Sequence, residues 1–446
     1  MVRLTGTFSQ LGTRKILVVG DLMLDTYTIG KARRISPEAP VAVIQVLREE
    51  CRPGGAGNVI LNLISLGAEV VAIGRIGADV HGQSLKEALS QENVDIRGIF
   101  VQPGFSTPMK NRIIAENQQI VRVDYEQVTP LQEMLEQKII EILPELFKGV
   151  TAVAISDYGK GFLSRTLLSA IIDQAKAGKI PVIADPKGND FSKYNGTTII
   201  KPNLSEAYAA AGLLPDASLD LAAQKILNLA NAETLMVTRS EAGISIFQRN
   251  GERQDFPVRA REIKDVTGAG DTVLAMLTCA MANGLGIAEA AQLSNVAAGI
   301  AIERFGCARI SLAELASRLF EGDAVNKIFD AEHFFALREA LKGKDYILLS
   351  LSGIDGMTSA IFSAIHRLAG ESELVVYLRD VRPEGDFVNL LASIHDIKFI
   401  IIQSDDLATL CDAVPPKRIY AIFGKDLEEV STTNDLMLQH QQTIVQ

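Results

Sequence analysis

The sequence predicts an α/β protein: a three-layer domain with a mainly parallel central sheet and a small β flap, followed by a smaller, Rossmann-like α/β domain. Three observations carry that expectation. Short runs rich in valine and isoleucine alternate with helical patterns from Lys15 to about Glu233, as in a parallel sheet covered on both faces. Two β-rich segments interrupt the alternation. Beyond "SLAELASRLFEG" a polar connector at Asp323 to Lys327 opens a second α/β pattern, which divides the chain into 1–322 and 323–446.

The elements follow in chain order. "KILVVGD" (Lys15 to Asp21) reads as a buried strand closed by a turn, and strand-like runs recur at "VAVIQVL", "VVAIG", "AVAIS", "PVIAD", "TTII" and "TLMVT". Between most of them lie the helical patterns "GNVILNLISLGA", "GQSLKEALSQEN", "SRTLLSAIIDQAKAGK" and "LAAQKILNLANAE". The segments "TIGKARRISPEAPVAVIQVL" and "GIFVQPGFSTPMKNRIIAENQQIVRVDYE" hold β-rich runs with no helix between neighbours, so they are assigned to the flap, which would shield a reaction centre from water. In the second domain "DYILLSLSG", "ELVVYLRD", "IKFIIIQ" and "RIYAIFG" are the expected strands. Ligands of such sheets gather outside the carboxyl ends of the strands.

Bulk properties narrow the function. At 446 residues, 47% hydrophobic and 22% charged, the chain has the composition of a soluble globular protein with more than one core. A net charge of -10 argues against a sequence-blind nucleic-acid binder and points to small-molecule partners. Cys51, Cys279, Cys307 and Cys411 lie far apart without a C-x-x-C pair, so neither a zinc site nor a disulfide framework is expected. No signal-peptide core or membrane-spanning run stands out, and the expected compartment is the cytoplasm.

Three stretches carry chemistry. In "DVTGAGDT" (Asp265 to Thr272) two glycines and an alanine precede an apolar helical run. Small residues at a helix start expose backbone N–H groups to an anion, and Asp271 among them can accept a proton from a nucleophile aimed at that anion. The plainer alternative is that Asp271 only favours the dipole of its helix. In "RPGGAGN" (Arg52 to Asn58), Gly54, Gly55 and Gly57 lead into a helix bearing Asn58 and Asn62, either to approach a ligand or to pack tightly; the spacing is not the dinucleotide fingerprint, and no strand directly precedes it. In "TTIIKPNLSEA", Asn203 and Glu206 stand three apart at a helix start, where they would hold a water-coated divalent ion or form a capping box.

Read together, "GGAGN", "NLSE" and "DVTGAGDT", in that order over residues 10 to 320, resemble the ribokinase-like (PfkB) family of carbohydrate kinases. The resemblance implies ATP as donor, Asp271 as base, an anion hole of the Gly268, Ala269 and Gly270 amides, and Mg2+ held through water at Asn203 and Glu206. "VVGDLMLDTY", "RISPEAPV", "NQQIVRVDYE", "SDYGKG", "DPKG" and "VTRSEAG" further resemble the kinase half of the bifunctional heptose 7-phosphate kinase and heptose 1-phosphate adenylyltransferase. That half phosphorylates the anomeric hydroxyl of D-glycero-β-D-manno-heptose 7-phosphate on the way to ADP-heptose and the lipopolysaccharide core.

On that resemblance Asp25, Gly54, Gly55 and Asn58 line the sugar pocket, while Arg34, Lys110, Arg112 and Lys160 are the cations available to the 7-phosphate. Asp185 and Lys187 reach the ATP phosphates or pair with each other. Thr238, Arg239, Gly243 and Asn295 fall on the nucleotide side. A homodimer is the family expectation. Another sugar phosphate as acceptor, or a non-catalytic binding role, remain open readings.

The second domain departs from its counterpart. A nucleotidyltransferase needs an H-x-G-H stretch after its first strand, but this chain has "ILLSLSGIDGMTSAIFSAIH", in which Gly353 and Asp355 match and His366 stands alone. "VSTTN" (Val430 to Asn434) still resembles the closing motif. The expectation is a nucleotidyltransferase-like domain without adenylyltransferase activity.

Overall fold

The computed structural model describes residues 10–116, 118–258, 263–320, 327–329, 334–352, 356–380, 385–402, 407–423, 426–433 and 436. Chain packing divides it into two units, Leu11–Ser311 and a second made of Gln10 and the described residues from Leu312 on. The boundary expected at residues 322 and 323 falls outside the described residues.

The first unit is organised by a nine-stranded sheet. Seven strands run parallel: β1 (Lys15–Gly20), β4 (Glu69–Ile76), β5 (Asp95–Val101), β8 (Val150–Ser156), β9 (Val182–Asp185), β10 (Ile199–Ile200) and β11 (Thr234–Thr238), in spatial order β11-β10-β9-β8-β1-β4-β5. Two antiparallel strands, β12 (Ile244–Gln248) and β13 (Arg253–Phe256), extend one edge. Side chains alternate between faces, so Leu17, Val19, Val153 and Ile155 enter one core with the helices Glu133–Leu146, Arg165–Ala177 and Leu219–Leu229. Each such fully buried aliphatic side chain contributes roughly 1.5–3 kcal/mol. The helices Ala56–Ser65, Ala269–Ala282 and Ile287–Ala301 pack together, with Ala269–Ala282 against β8 and β9. Buried on almost every side, the Ala269–Ala282 helix holds its first turn fixed against the sheet.

A separate four-stranded sheet, β3-β2-β6-β7, is the flap. Its strands are β2 (Leu22–Ile35), β3 (Ala42–Gly55), β6 (Met109–Ala115) and β7 (Gln118–Tyr125). Two sequence assignments are corrected. "GIFV" belongs to β5, the edge of the main sheet, because its backbone pairs with Ile73 to Ile76. The glycines of "RPGGAGN" do follow a strand, since Gly54 and Gly55 are the last residues of β3, paired with Met23 and Leu22.

The second unit has a six-stranded sheet, β14-β17-β16-β15-β18-β19. Four central strands are parallel: β15 (Tyr346–Leu351), β16 (Glu373–Leu378), β17 (Ile397–Ile402) and β18 (Arg418–Phe423); β14 (Ile328–Phe329) joins them in parallel and β19 (Asp426–Val430) runs antiparallel. Its core is Ile347, Leu349, Val376, Ile365 and Leu391 among others. No described helix is long and apolar enough to cross a membrane.

Candidate active site

The site lies at the carboxyl ends of the parallel strands of the first unit. Gly268 starts the helix Ala269–Ala282 at φ 77°, a left-handed conformation that costs glycine nothing, and a Cβ there would fall 2.8 Å from Asn58 Nδ2. The two aspartates of "DVTGAGDT" do different things. Asp265 ties the loop down: Oδ1 accepts from Thr267 N at 2.9 Å, and Oδ2 accepts from Gly306 N at 2.8 Å. Asp271 sits in the first helical turn with 3% of its surface exposed.

Both oxygens of Asp271 are held. Asn58 Nδ2 donates to Oδ2 at 2.8 Å and the Tyr158 hydroxyl donates to Oδ1 at 2.7 Å. Burial pushes the carboxyl up to about 7, and Asp185 acts in the same direction, against the two hydrogen bonds and Lys201. A carboxyl poised near neutrality is suited to take a proton and release it again. Of the neighbouring amides, Ala269 N closes a turn on Val266 O at 3.2 Å. Among the described residues no protein acceptor faces those of Gly268 and Gly270, so two of the three expected donors are open to an anion.

A charged cluster adjoins this helix start. Lys201, 2% exposed, pairs with Asp185 at 2.9 Å, and a Cβ on Gly270 would stand 3.9 Å from its Nζ. Lys187 pairs with Glu206 at 2.7 Å. Asp185 and Lys187 therefore do not pair with each other, the alternative that their spacing allowed. Asp185 is raised by burial against the pull of Lys201, and it feels Glu206 as well. Residue 271 thus lies on the same side of the sheet as 203 and 206. Asn203 and Glu206 form the capping box: Asn203 Oδ1 accepts from Glu206 N at 2.9 Å and Glu206 Oε2 accepts from Asn203 N at 3.0 Å.

The flap supplies the opposite wall. Asp25, buried, pairs with Arg112 at 2.5 Å and accepts from Cys307 Sγ at 3.5 Å. A Cβ on Gly54 would lie 2.2 Å from Asp25 Oδ2, and one on Gly55, at φ 57°, would lie 2.7 Å from Asp21 O, so both glycines are required for this approach. Lys110 and Lys160 converge on Glu126, at 3.1 and 2.7 Å. Arg34 is exposed and lies nine residues along β2 from Asp25, roughly 30 Å of strand, so it does not join this group within the chain. A cavity of about 250 Å³ opens between Asn58 and Cys307, flanked by Arg52 and Arg309. Those two arginines pair with Glu50 at 2.9 Å and Glu92 at 2.6 Å.

On the remaining side, Thr238 ends β11 and bridges to Asn203, while Arg239 N donates to Gly243 O at 2.7 Å. Gly243 has φ 82° and a Cβ there would meet Phe256 O at 2.0 Å. Asn295 Nδ2 donates to Phe256 O at 2.7 Å, which ties it to the strand edge.

Sequence reasoning passed over Tyr158, Lys201, Glu126, Arg52 and Arg309. A signal existed for two of them: Tyr158 follows "AVAIS" and Lys201 follows "TTII", so both stand at carboxyl ends of strands, where ligand-facing residues are expected. Glu126 and Arg309 meet partners distant in sequence, and Arg52, though paired with Glu50 two residues away, is brought to the cavity only by the fold, so no local pattern marks any of the three.

Residues 13–314 match the model of the pfkB family of carbohydrate kinases. The chain is similar to the Bifunctional protein HldE of Trichlorobacter lovleyi, 44% identical over 94% of this chain and 85% of that protein. It is also similar to those of Geobacter metallireducens, 41% identical over 93% and 90%, and Campylobacter jejuni, 37% over 88% and 86%. Arabidopsis thaliana ribokinase, solved with ribose and ATP, shares the fold with a TM-score of 0.55 at 18% identity, covering 69% of this chain and 99% of its own. Escherichia coli phosphofructokinase-2, solved with potassium, does so with a TM-score of 0.57 at 21% identity, covering 69% and 98%. With a family match over nearly the whole first unit and relatives aligned across most of both chains, the chain belongs to the pfkB family of carbohydrate kinases.

Proposed function

We propose that the first unit transfers the γ-phosphoryl group of ATP to the anomeric hydroxyl of D-glycero-β-D-manno-heptose 7-phosphate, giving the 1,7-bisphosphate and ADP. The observation that carries the reaction type is the buried Asp271, next to open helix-start amides on one side and the Asp25 and Asn58 pocket on the other. The choice of sugar rests on the likeness to the HldE proteins.

Asp271 takes the proton of the attacking hydroxyl, the sugar oxygen bonds to phosphorus, and the bond from phosphorus to the ADP oxygen breaks. The Gly268 and Gly270 amides, with Ala269 between them, receive the charge of the transferring group. Lys201 and Lys187 lie on the nucleotide side with Asp185, Thr238, Arg239, Gly243 and Asn295. Asp25 and Asn58 orient sugar hydroxyls, and Lys110, Arg112 and Lys160 face the distal phosphate, which would take the place of Glu126 at the two lysines while Arg112 stays paired with Asp25.

The donor set fits magnesium held through water: Asn203 and Glu206 offer only oxygen atoms to a hard cation, and those atoms are already engaged in the cap and with Lys187, so water would bridge to the ion. When bound, the ion would neutralise phosphate charge. Asn203 and Glu206 are its proposed outer ligands.

ADP release, measured by a coupled assay across a panel of sugar phosphates, tests the assignment. Heptose 7-phosphate is expected to give the highest kcat/KM; equal rates on fructose 6-phosphate would overturn the choice of sugar. We also propose a cytoplasmic homodimer. The exposed Val46, Leu47, Ile120 and Val121 of the flap support pairing, and sedimentation checks it.

For the second unit we propose a nucleotidyltransferase-like domain without adenylyltransferase activity. Gly353, Asp355 and Asn434 lie outside the described residues. His366 occupies the last turn of the helix Ser359–Ala369 and pairs with Asp396 at 2.9 Å, roughly 10 Å of helix beyond the start where a phosphate-binding histidine is required.

A further inference from the structure

Tyr158 stands in the reaction centre without a role in the scheme above. Its loop is fastened at several points. Asp21 Oδ2 accepts from Tyr158 N at 2.9 Å and from Lys160 N at 3.1 Å. Asp157 Oδ1 accepts from Gly159 N at 2.7 Å, and Asp157 Oδ2 is held by Lys193 at 2.5 Å and the Tyr194 hydroxyl at 2.6 Å. Gly161, at φ 89°, passes so close to the backbone at Thr129 that a Cβ would lie 2.3 Å from its carbonyl oxygen. The backbone of residue 158 is thereby fixed, and its side chain ends on Asp271.

The charges around Asp271 explain why a donor is needed there. Asp185 faces it and opposes its ionisation, Cys307 is a buried thiol, and Lys201, the facing cation, is paired with Asp185. Hydrogen bonds from Asn58 and Tyr158 are what offset the loss of water around the carboxylate. The phenol itself is held well above its ordinary range by burial and by Asp271, so it remains a donor and does not compete as base.

We propose that Tyr158 is a positioning residue of the kinase reaction, whose hydroxyl donates to Oδ1 and fixes the Asp271 carboxylate so that its free lone pairs meet the sugar hydroxyl. The inference rests on the base role of Asp271 but not on which sugar is the acceptor. In the transfer step the hydroxyl proton passes to Asp271, the O–P bond forms and the P–O bond to ADP breaks; Tyr158 keeps its proton, and Asp271 later returns its own to solvent.

The test is the pH profile of kcat/KM for Tyr158→Phe, recorded with whichever sugar phosphate in the panel is turned over fastest. Losing a donor to the anion raises the carboxyl further. The acid limb of the variant should move up by about one pH unit, for one hydrogen bond to a charged group. Activity then falls about tenfold at pH 6, where both profiles lie on their acid limbs, and recovers on the alkaline plateau. An unchanged acid limb, or an equal loss at pH 6 and pH 9, overturns the proposal, because a packing role loses activity without regard to pH. Uniform replacement of tyrosine by 3-fluorotyrosine, a stronger donor, should move the limb downward; it decides the matter if the phenylalanine variant does not fold, and an unmoved limb there is also fatal. Failure of the heptose assignment shows separately, as a different best substrate with the same Tyr158 effect.

Discussion

The two parallel sheets of this chain differ less in architecture than in what stands at their carboxyl ends. In the first unit those ends bring Asp21, Asp157, Tyr158, Asp185 and Lys201 together around a fixed helix start. In the second, Ser352 donates to Asp380 at 2.7 Å, Arg379 donates to Ile422 O at 2.7 Å, and His366 points to Asp396. Similar layers therefore serve chemistry in one case and, on our reading, not in the other. Function resides in a few loop residues and not in the sheet that carries them.

Removing the base should separate the units most sharply. Asp271→Asn keeps the shape of the side chain, so the ATP dissociation constant should hold while turnover drops about 100- to 10,000-fold. Calorimetric titration with ATP beside the ADP-release assay checks both halves.

A smaller but still large effect is expected from one methyl group. In Gly54→Ala the new Cβ would lie 2.2 Å from Asp25 Oδ2 and 2.8 Å from its Cγ, which forces the Asp25 and Arg112 pair apart. The KM for the sugar phosphate should rise about tenfold or more, the equivalent of at least ~1.4 kcal/mol. The matching change in the second unit, Gly385→Ala, meets no atom within 4 Å and should alter stability by less than about 0.5 kcal/mol in a thermal melt.

The pH dependence follows from the same burial. Asp271 must be ionised to act, so kcat/KM should fall about tenfold per unit below a midpoint near 7 and level off above it. Stability runs the other way. A carboxyl raised from 3.8 to about 7 by folding stabilises the native state fully below pH 3.8 and loses that contribution as pH rises through 7. Relative to Asp271→Asn, the native protein should lose on the order of 4 kcal/mol between pH 4 and pH 8, read from melting curves of the two proteins.

Much of this was legible in the sequence where physics is local. The valine-rich strands, the helix after "DVTGAGDT" and the Asn203 with Glu206 cap all depend on neighbours within a few residues, and they stand where the pattern puts them. What escaped depends on contacts across the fold. Lys201 reads as an ordinary lysine until β9 brings Asp185 beside it, and Tyr158 as an aromatic of the "SDYGKG" loop until the Ala269–Ala282 helix presents Asp271 to it. Arg34 is the opposite case within this chain. Its neighbours in "RISPEAPV" suggested the pocket, but a β2 of 14 residues carries it far from Asp25.

The smallest expected effect closes the comparison. If His366 is only a surface partner of Asp396, with its side chain 80% exposed, then His366→Ala should leave the kinase rate unchanged and shift stability by less than about 1 kcal/mol, the worth of an exposed pair. Heptose 1-phosphate and ATP should release no pyrophosphate with either protein. Release by the native chain that disappears in His366→Ala would show that one histidine suffices where two were thought necessary, and the contrast between the two sheets would then be one of degree. Release that survives the substitution would place the missing donors elsewhere on the second sheet, with Arg379, half-buried beside the ends of β16 and β18, as the first residue to replace.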